Sequence, residues 1–191
     1  MRFFILFVFM FCFKIIANEF TTYVAMNHPK AQGIDFRIDY PKDWIAQEGK
    51  RPNIIHFFCN QTRLQNFTVL IKQIEGLEPV LSKEDTSILL DSYLENIKRS
   101  SAFDSIEFYK KVKLEQIPAL LYVSSGHVER LNKTAYHRNL SVVFFFQGKI
   151  ILLQGTVYGA DSQDAKIEFE KVQRRFYFMA NSFILTSKWK N

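Results

Sequence analysis

Long stretches of alternating apolar and polar residues dominate the second half of the chain and constrain its fold more than any other feature. They span residues 105–114, 119–128, 134–146 and 149–158. Alternation with a period of two predicts β-strands that bury one face. Gln147 and Gly148 separate the last two stretches and are typical of a two-residue hairpin turn, in which glycine adopts a positive φ. Strands joined so closely are expected to pair antiparallel.

Shorter strands are predicted in the first half of the chain. They span Gly33–Tyr40, Ile54–Cys59 and Asn66–Ile74. Pro41 is expected to end the first strand, because proline has no N–H group for a ladder hydrogen bond. In the third strand, Phe67, Val69 and Ile71 share one face, which we expect to point into the core.

Two segments have the period of an α-helix. The first begins at Ser82 in the pattern Ser-Lys-Glu-Asp, in which Asp85 can complete a capping box. Its apolar stripe consists of Leu89, Leu90, Tyr93, Leu94 and Ile97. The second helix is predicted to begin at Asp161 or Ser162, and its apolar residues recur at three- and four-residue spacing as far as Phe183. Both stripes predict packing against a sheet.

The order of these elements predicts the fold class. Runs of strands, with helices set apart from them, favour an α+β fold with a central antiparallel sheet flanked by helices over a parallel α/β fold. No internal repeat is found, and no linker rich in Pro, Gly or Ser divides the chain. We therefore predict one domain over residues 18–191, preceded by a separate segment at 1–17.

Residues 1–17 have the pattern of a secretory signal peptide. Arg2 precedes the apolar run Phe3–Phe13, and Ala17 is a small residue suited to a cleavage site. The run is too short to cross a bilayer, which takes about 20 apolar residues. Retention as an anchor stays open, because Ile15 occupies a position where a smaller residue is usual. We expect cleavage, a periplasmic or secreted location, and no membrane span afterwards.

The distribution of charge narrows the class of partner that the protein is expected to bind. Removal of Arg2 and Lys14 lowers the formal net charge from +6 to +4, and the remaining basic residues are spread along the chain. A nucleic-acid-binding protein usually concentrates them on one face, so we expect no nucleic-acid partner.

Cys59 is the single cysteine after residue 17. An intrachain disulfide is therefore excluded, and the core alone must hold the domain together.

In order and spacing, these elements resemble the PsbP-like superfamily. The resemblance rests on the strand Gly33–Tyr40 with Pro41 and Trp44 in a Tyr-Pro-x-x-Trp motif, the mid-chain helix, Ile117–Ala119 before a long hairpin, Phe146–Lys149, and a terminal helix running into Asn181–Phe183. It covers nearly all of the chain after Ala17. The resemblance implies an α/β/α sandwich and a binding or assembly role, since the family shares no catalytic centre. Tyr40, Pro41 and Trp44 are expected to be structural.

Two histidines are the candidates for a metal site. If the hairpin turns near Asn132 and Lys133, His127 and His137 are cross-strand partners on one face, close enough to share a zinc ion. Glu129 is the acidic neighbour that would add a ligand. The alternative is a pair of solvated histidines near the hairpin tip. Apart from these two candidates, the sequence predicts no metal ligand, no cofactor and no catalytic residue.

Two other groups of reactive side chains are interpreted as structural. His56 and Cys59 lie three residues apart on one predicted strand, so they point to opposite faces and cannot pair. Cys59 is predicted to be a buried apolar side chain. Asp35, Arg37 and Asp39 share a strand face, which predicts a solvated row of ion pairs in place of an acid–base pair.

The leading functional interpretation is an exported, non-enzymatic binding or assembly module. Its partner is expected to be a protein or a component of the cell envelope. Two alternatives stay open: an enzyme whose active site is dispersed along the chain, and a secreted factor that acts on host cells. The sequence contains no HExxH, GxSxG or glycine-rich phosphate-binding motif.

Overall fold

The computed structural model describes residues 19–100, 103–130 and 133–189, so the predicted signal peptide lies outside the described residues. The strands are β1 (Phe20–Ala25), β2 (Phe36–Pro41), β3 (Ile45–Glu48), β4 (Ile54–Cys59), β5 (Gln65–Gln73), β6 (Ser105–Leu114), β7 (Ile117–Arg130), β8 (Lys133–Phe146), β9 (Lys149–Gly159) and β10 (Ile184–Leu185). The helices are α1 (Lys83–Arg99) and α2 (Ser162–Ser182), with short 3-10 turns at Pro29–Ala31 and Thr186–Trp189.

The strands form two antiparallel sheets. The large sheet has seven strands in the order β3-β4-β5-β9-β8-β7-β6, and the small one has three in the order β1-β2-β10. Every strand pair between described residues is antiparallel. The predicted α+β class with a large antiparallel sheet is therefore confirmed.

Alternate residues of β7 belong to two hydrophobic clusters, one on each face of the large sheet. Ala119, Leu121 and Val123 lie in the cluster that α2 and the small sheet complete. Leu120 and Tyr122 lie in the cluster that α1 completes. The expected α/β/α sandwich is thus present only in part, because a three-stranded sheet shares one face with α2. Its strands β1 and β10 were not predicted from the sequence.

The ends of the helices follow the predicted capping residues. The hydroxyl of Ser82 accepts the Asp85 backbone N–H at 3.0 Å and donates to the Asp85 carboxylate at 2.6 Å. The carboxylate of Asp161 accepts the Asp164 backbone N–H at 2.7 Å. These contacts satisfy N–H groups that a helix leaves unpaired at its start. Both predicted helix starts are confirmed.

The Tyr-Pro-x-x-Trp segment ends β2 and closes one side of the core. β2 ends at Pro41, and Trp44 is 5% exposed in the cluster beneath α2. The Trp44 ring meets the ring of Phe176 edge to face, with centroids 6.2 Å apart. These contacts place Trp44 in the core. Among the described residues, neither helix is long and apolar enough to cross a bilayer.

Candidate functional site

Helix α1 covers only part of its face of the large sheet. Its buried residues Leu90, Leu94 and Ile97 pack on side chains of β7 and β8. Strands β4 and β5 lie further along the same sheet, on the other side of β9. On that part of the face the described residues leave a groove of about 420 Å³, which we call the sheet groove. Its lining consists of Arg51, Ile54, Phe57, Arg63, Asn66, Thr68, Leu70, Leu152, Gln154, Thr156 and Tyr158.

The floor of the sheet groove changes from polar to apolar along its length. Three cross-strand pairs of β5 and β9 form it: Asn66 with Thr156, Thr68 with Gln154, and Leu70 with Leu152. Residues two apart on a strand share a face, so the three pairs lie side by side. The groove therefore has a hydrogen-bonding end and a hydrophobic end.

A polar row continues from the groove across the sheet. Asn66 pairs with Thr156, Thr156 with Asn139, and Asn139 with Ser124, so the row crosses four strands. All four side chains are buried. The Asn139 amide donates to the Ser124 hydroxyl at 3.3 Å. Hydrogen bonds of this kind satisfy buried polar groups and hold the side chains in defined orientations.

Two arginines supply the charge of the sheet groove. Arg51 and Arg63 are exposed, and the described lining contains no aspartate or glutamate. Arg63 lies in the β4–β5 turn with a φ of 61°. Burial raises the pKa of the nearby Cys59 thiol, and the positive charge of Arg63 opposes that rise. Since Cys59 pairs with Asn66, the guanidinium lies close to the polar end of the groove.

The two candidate zinc ligands are not cross-strand partners. His127 pairs with Tyr136, and His137 pairs with Gly126. Arg130 pairs with Lys133, so the hairpin turns one residue earlier than we expected. Because a shift of one residue moves a side chain to the opposite face, the expected juxtaposition of His127 and His137 is wrong.

The two histidines have different environments. The His127 Nδ1 atom lies 2.9 Å from a carboxylate oxygen of Asp104, and this hydrogen bond raises the pKa of His127. His137 is buried, its Nδ1 atom lies 3.1 Å from the Asn139 amide, and desolvation lowers its pKa. Within residues 19–100, 103–130 and 133–189, no three His, Cys, Asp or Glu side chains are placed to share a metal ion. The zinc hypothesis loses its geometric basis.

Asp35, which directly precedes β2, and Asp39 of β2 have different environments. Asp35 is buried and accepts the backbone N–H of Asn27 at 2.7 Å. Asp39 accepts the Thr22 hydroxyl at 2.6 Å. The expected solvated row is therefore wrong for Asp35, because this residue is buried and bonded to the turn after β1, which the sequence did not reveal.

Cys59 and His56 point to opposite faces, as predicted, because Cys59 pairs with Asn66 and His56 with Val69. Cys59 is fully buried, which confirms its interpretation as a buried side chain. His56 is buried as well and stacks on Tyr23 of β1, with ring centroids 3.8 Å apart. Desolvation lowers the pKa of His56 to about 4.

The sheet groove was not predicted as a site. The polar residues of β5 and β9 were visible as the outward positions of alternating strands, and such positions usually face solvent without a function. What makes them a site is the length and position of α1, which leaves this part of the face open. A signal was present in the sequence, since four outward positions of β5 and β9 have hydrogen-bonding side chains: Asn66, Thr68, Gln154 and Thr156.

Comparison with solved structures shows that the chain has a PsbP-like fold, as its sequence resemblance implied. It is similar to cyanobacterial PsbP (CyanoP) from Synechocystis sp. PCC 6803, with a TM-score of 0.54 and 16% identity over 87% of this chain and 92% of that chain. It is also similar to LpqN, involved in cell envelope biogenesis of Mycobacterium tuberculosis. That match has a TM-score of 0.51 and 14% identity over 91% of this chain and 95% of that chain.

Comparison with protein-family models gives no match, and neither does a comparison of the sequence with curated proteins. At such low identities the similarity to CyanoP and LpqN shows the fold alone, because one fold hosts many functions. The function must therefore be argued from the site.

Proposed function

We propose that this protein is an exported, non-enzymatic binding or assembly module that recognises a protein or a component of the cell envelope through the sheet groove. The observation that carries the proposal is the groove itself: a depression on paired strands, lined by polar and apolar side chains on a rigid base. Sites on strands hold their side chains more accurately than sites on loops. A depression with a few converging polar groups is the usual form of a ligand site.

Two further features support an envelope or extracellular role. Residues 1–17 have the pattern of a signal peptide. LpqN, which has the same fold, is described as involved in cell envelope biogenesis. The similarity to LpqN is an analogy between folds, and it indicates that a partner should be sought in the cell envelope.

The export step has a direct test. Mass spectrometry of the protein purified from the cells that make it is expected to show an N-terminus at Asn18, in the periplasmic or culture-medium fraction. A chain that keeps Met1 and stays in the cytoplasm would contradict export. A membrane-bound chain that keeps Met1 would support the anchored alternative.

The binding role is tested by a photo-crosslinking amino acid at two positions. Gln154 lies in the floor of the sheet groove, and Glu170 is an exposed residue of α2 outside the groove. We expect a discrete adduct in cells from position 154 and none of the same mass from position 170. Identical adducts from both positions, or no adduct from 154 in any fraction, would contradict a binding role for the groove.

A further inference from the structure

The lining of the sheet groove carries more positive charge than that of the depression at residues 79–83, which has one lysine and likewise no carboxylate. The lining of the sheet groove has two arginines and no carboxylate. The depression beside His137 contains Asp104 and Glu107, and the one beside Leu64 contains Asp164 and Glu168. Within the described residues, no Asp or Glu oxygen lies within 4 Å of a guanidinium nitrogen of Arg51 or Arg63. Within the part of the chain that the structure describes, neither arginine is therefore held in an ion pair.

The two arginines lie at opposite ends of strand β4. Arg63 follows β4 and is close to Cys59, at the end of the floor formed by Asn66 and Thr156. Arg51 precedes β4, and its carbonyl accepts the backbone N–H of Ile54, which pairs with Leu70. Arg63 therefore belongs to the polar end of the groove and Arg51 to the apolar end.

The turn that carries Arg63 is well ordered by hydrogen bonds. The Arg63 backbone N–H donates to the Asn60 carbonyl at 3.0 Å, and the Asn60 side chain accepts from the backbone N–H of Gln65 at 3.3 Å. Arg63 has a φ of 61°, and a residue with a Cβ atom adopts this region at a higher conformational free energy than glycine does. The turn thus holds an arginine, at a conformational cost, beside the polar end of the groove.

The size of the floor limits the ligand. Asn66 and Leu70 are four residues apart on β5, so the floor is roughly 13 Å long at the usual rise of a strand. The apolar end, with Ile54, Leu70 and Leu152, excludes a ligand that is polar throughout, because the side chains there offer no hydrogen bonds. A short molecule with one charged end and one apolar end matches both halves.

We propose that the sheet groove binds a small amphiphilic anion: an apolar chain lies over Leu70 and Leu152, and a carboxylate or phosphate group is held by Arg63. Asn66, Thr156 and Tyr158 add hydrogen-bond donors at the same end of the groove. Guanidinium groups bind such anions with two parallel hydrogen bonds. This inference rests on the proposed function, since it names the class of ligand that the groove recognises.

The experiment uses residues 18–191, because both core clusters lie between Ala25 and Leu185. Sodium decanoate and decyl phosphate, below their micelle concentrations, are titrated while backbone amide shifts are recorded by NMR. Comparison of the two probes shows whether the groove binds a carboxylate or a phosphate head group. We expect saturable shifts in β4, β5 and β9 and none of that pattern with acetate, which has the head group without the chain. Decyltrimethylammonium, with the same chain and the opposite charge, is expected to bind at least tenfold more weakly.

The variants test the two ends of the groove separately. Arg63→Gln is expected to weaken decanoate binding roughly tenfold, the size of a lost charged hydrogen bond. Arg51→Gln is expected to have a smaller effect, because Arg51 lies at the apolar end. Arg174→Gln is the matched control, since Arg174 is exposed on α2 outside the groove and its loss should leave binding unchanged. Octanoate, shorter by two methylene groups, is expected to bind roughly tenfold more weakly than decanoate.

Several results would overturn the inference: equal binding of decyltrimethylammonium, equal effects of Arg63→Gln and Arg174→Gln, or no saturable shift in the groove. The crosslinking experiment separates this failure from that of the proposed function. If position 154 gives a discrete adduct in cells while neither anion binds, the binding role stands and the amphiphilic anion is wrong. If decanoate binds as described but position 154 gives no adduct, the ligand class stands and the role in cells is contradicted.

Discussion

Gly155 lies in β9 directly against the Phe176 ring of α2. A Cβ atom at this position would lie 2.3 Å from the Cγ atom of the Phe176 ring. No side-chain contact in proteins is that short, so either the ring or the helix must move. The absence of a side chain at residue 155 therefore sets how closely the helix packs on the sheet.

We predict that Gly155→Ala lowers the free energy of unfolding by about 1–3 kcal/mol, the usual cost of overpacking a core. Denaturant unfolding monitored by circular dichroism measures the change. The double variant Gly155→Ala/Phe176→Leu is the control, since a smaller side chain at 176 makes room for the new methyl group. In that background the alanine should cost less than in the unmodified protein. Unchanged stability of Gly155→Ala would contradict the close packing.

His56 is predicted to make the protein less stable in mild acid. Its pKa is lowered to about 4 by burial, with a contribution from the charge of His28, while the charge of Glu48 acts in the opposite direction. An unfolded histidine binds a proton below its ordinary pKa of about 6.5. Between pH 6.5 and pH 4 the unfolded chain therefore binds more protons, and stability falls as the pH falls, by on the order of 2–3 kcal/mol in total.

His56→Phe tests this prediction, because phenylalanine can keep a ring stacked on Tyr23 without binding a proton. Unfolding free energies at several values between pH 4 and pH 7 should decline less steeply for the variant. Burial also lowers the pKa of His137, so part of the decline in unfolding free energy with falling pH remains in both proteins. NMR titration of the His56 ring gives an independent check, and an ordinary pKa near 6.5 would contradict the burial argument.

At the scale of the element, α1 begins at a capping box and buries fewer residues than α2 does. It packs on one face of the sheet through Leu90, Leu94 and Ile97, and the Ser82–Asp85 capping box defines its start. We predict that Ser82→Ala destabilises the protein by about 1 kcal/mol, the usual value of a lost N-cap. Thermal or denaturant unfolding measures it.

Ser92→Ala is the control for this prediction. Ser92 is exposed in the middle of α1, where alanine is the better helix former, so the variant should be neutral or slightly more stable. If both substitutions change stability by the same amount, the loss at Ser82 cannot be attributed to the cap.

The long elements were predictable from the sequence because each carries its own signal. Alternation over ten or more residues indicated β6 to β9, and helical spacing with an N-cap residue indicated α1 and α2. The strands β1, β3 and β10 were missed. They have six, four and two residues, and their pairing partners are supplied by other parts of the chain. Short segments of this kind become strands only when a neighbouring edge is in place.

At the scale of the whole molecule, stability is expected to decline from the centre of the large sheet outward. β8 and β9 have hydrogen-bonded strands on both sides and lie beneath α2, whereas β3 is an edge strand of four residues. We predict that the amide hydrogens of β8 and β9 exchange slowest, and that those of α1 and β3 exchange faster. Hydrogen-exchange mass spectrometry or NMR measures the order.

The variant Ser82→Ala provides a control for the exchange experiment. It should speed exchange in α1 while leaving β8 and β9 unchanged at neutral pH, provided that α1 opens as a separate unit. Equal protection of α1 and β8, with both opening together in the variant, would show that the domain opens as a single unit.

The sequence by itself determined the α+β class, the long antiparallel strands, the starts of both helices and the resemblance to the PsbP-like superfamily, because these depend on patterns within continuous segments. Only the tertiary structure decided which side chains meet. The one-residue register of the β7–β8 hairpin separated His127 from His137, and β1 buried His56. Because α1 covers only part of its face of the large sheet, the groove between Arg51 and Arg63 stays open. Such juxtapositions depend on register and on where a helix stops relative to a sheet, and neither is encoded in the local pattern of any one segment.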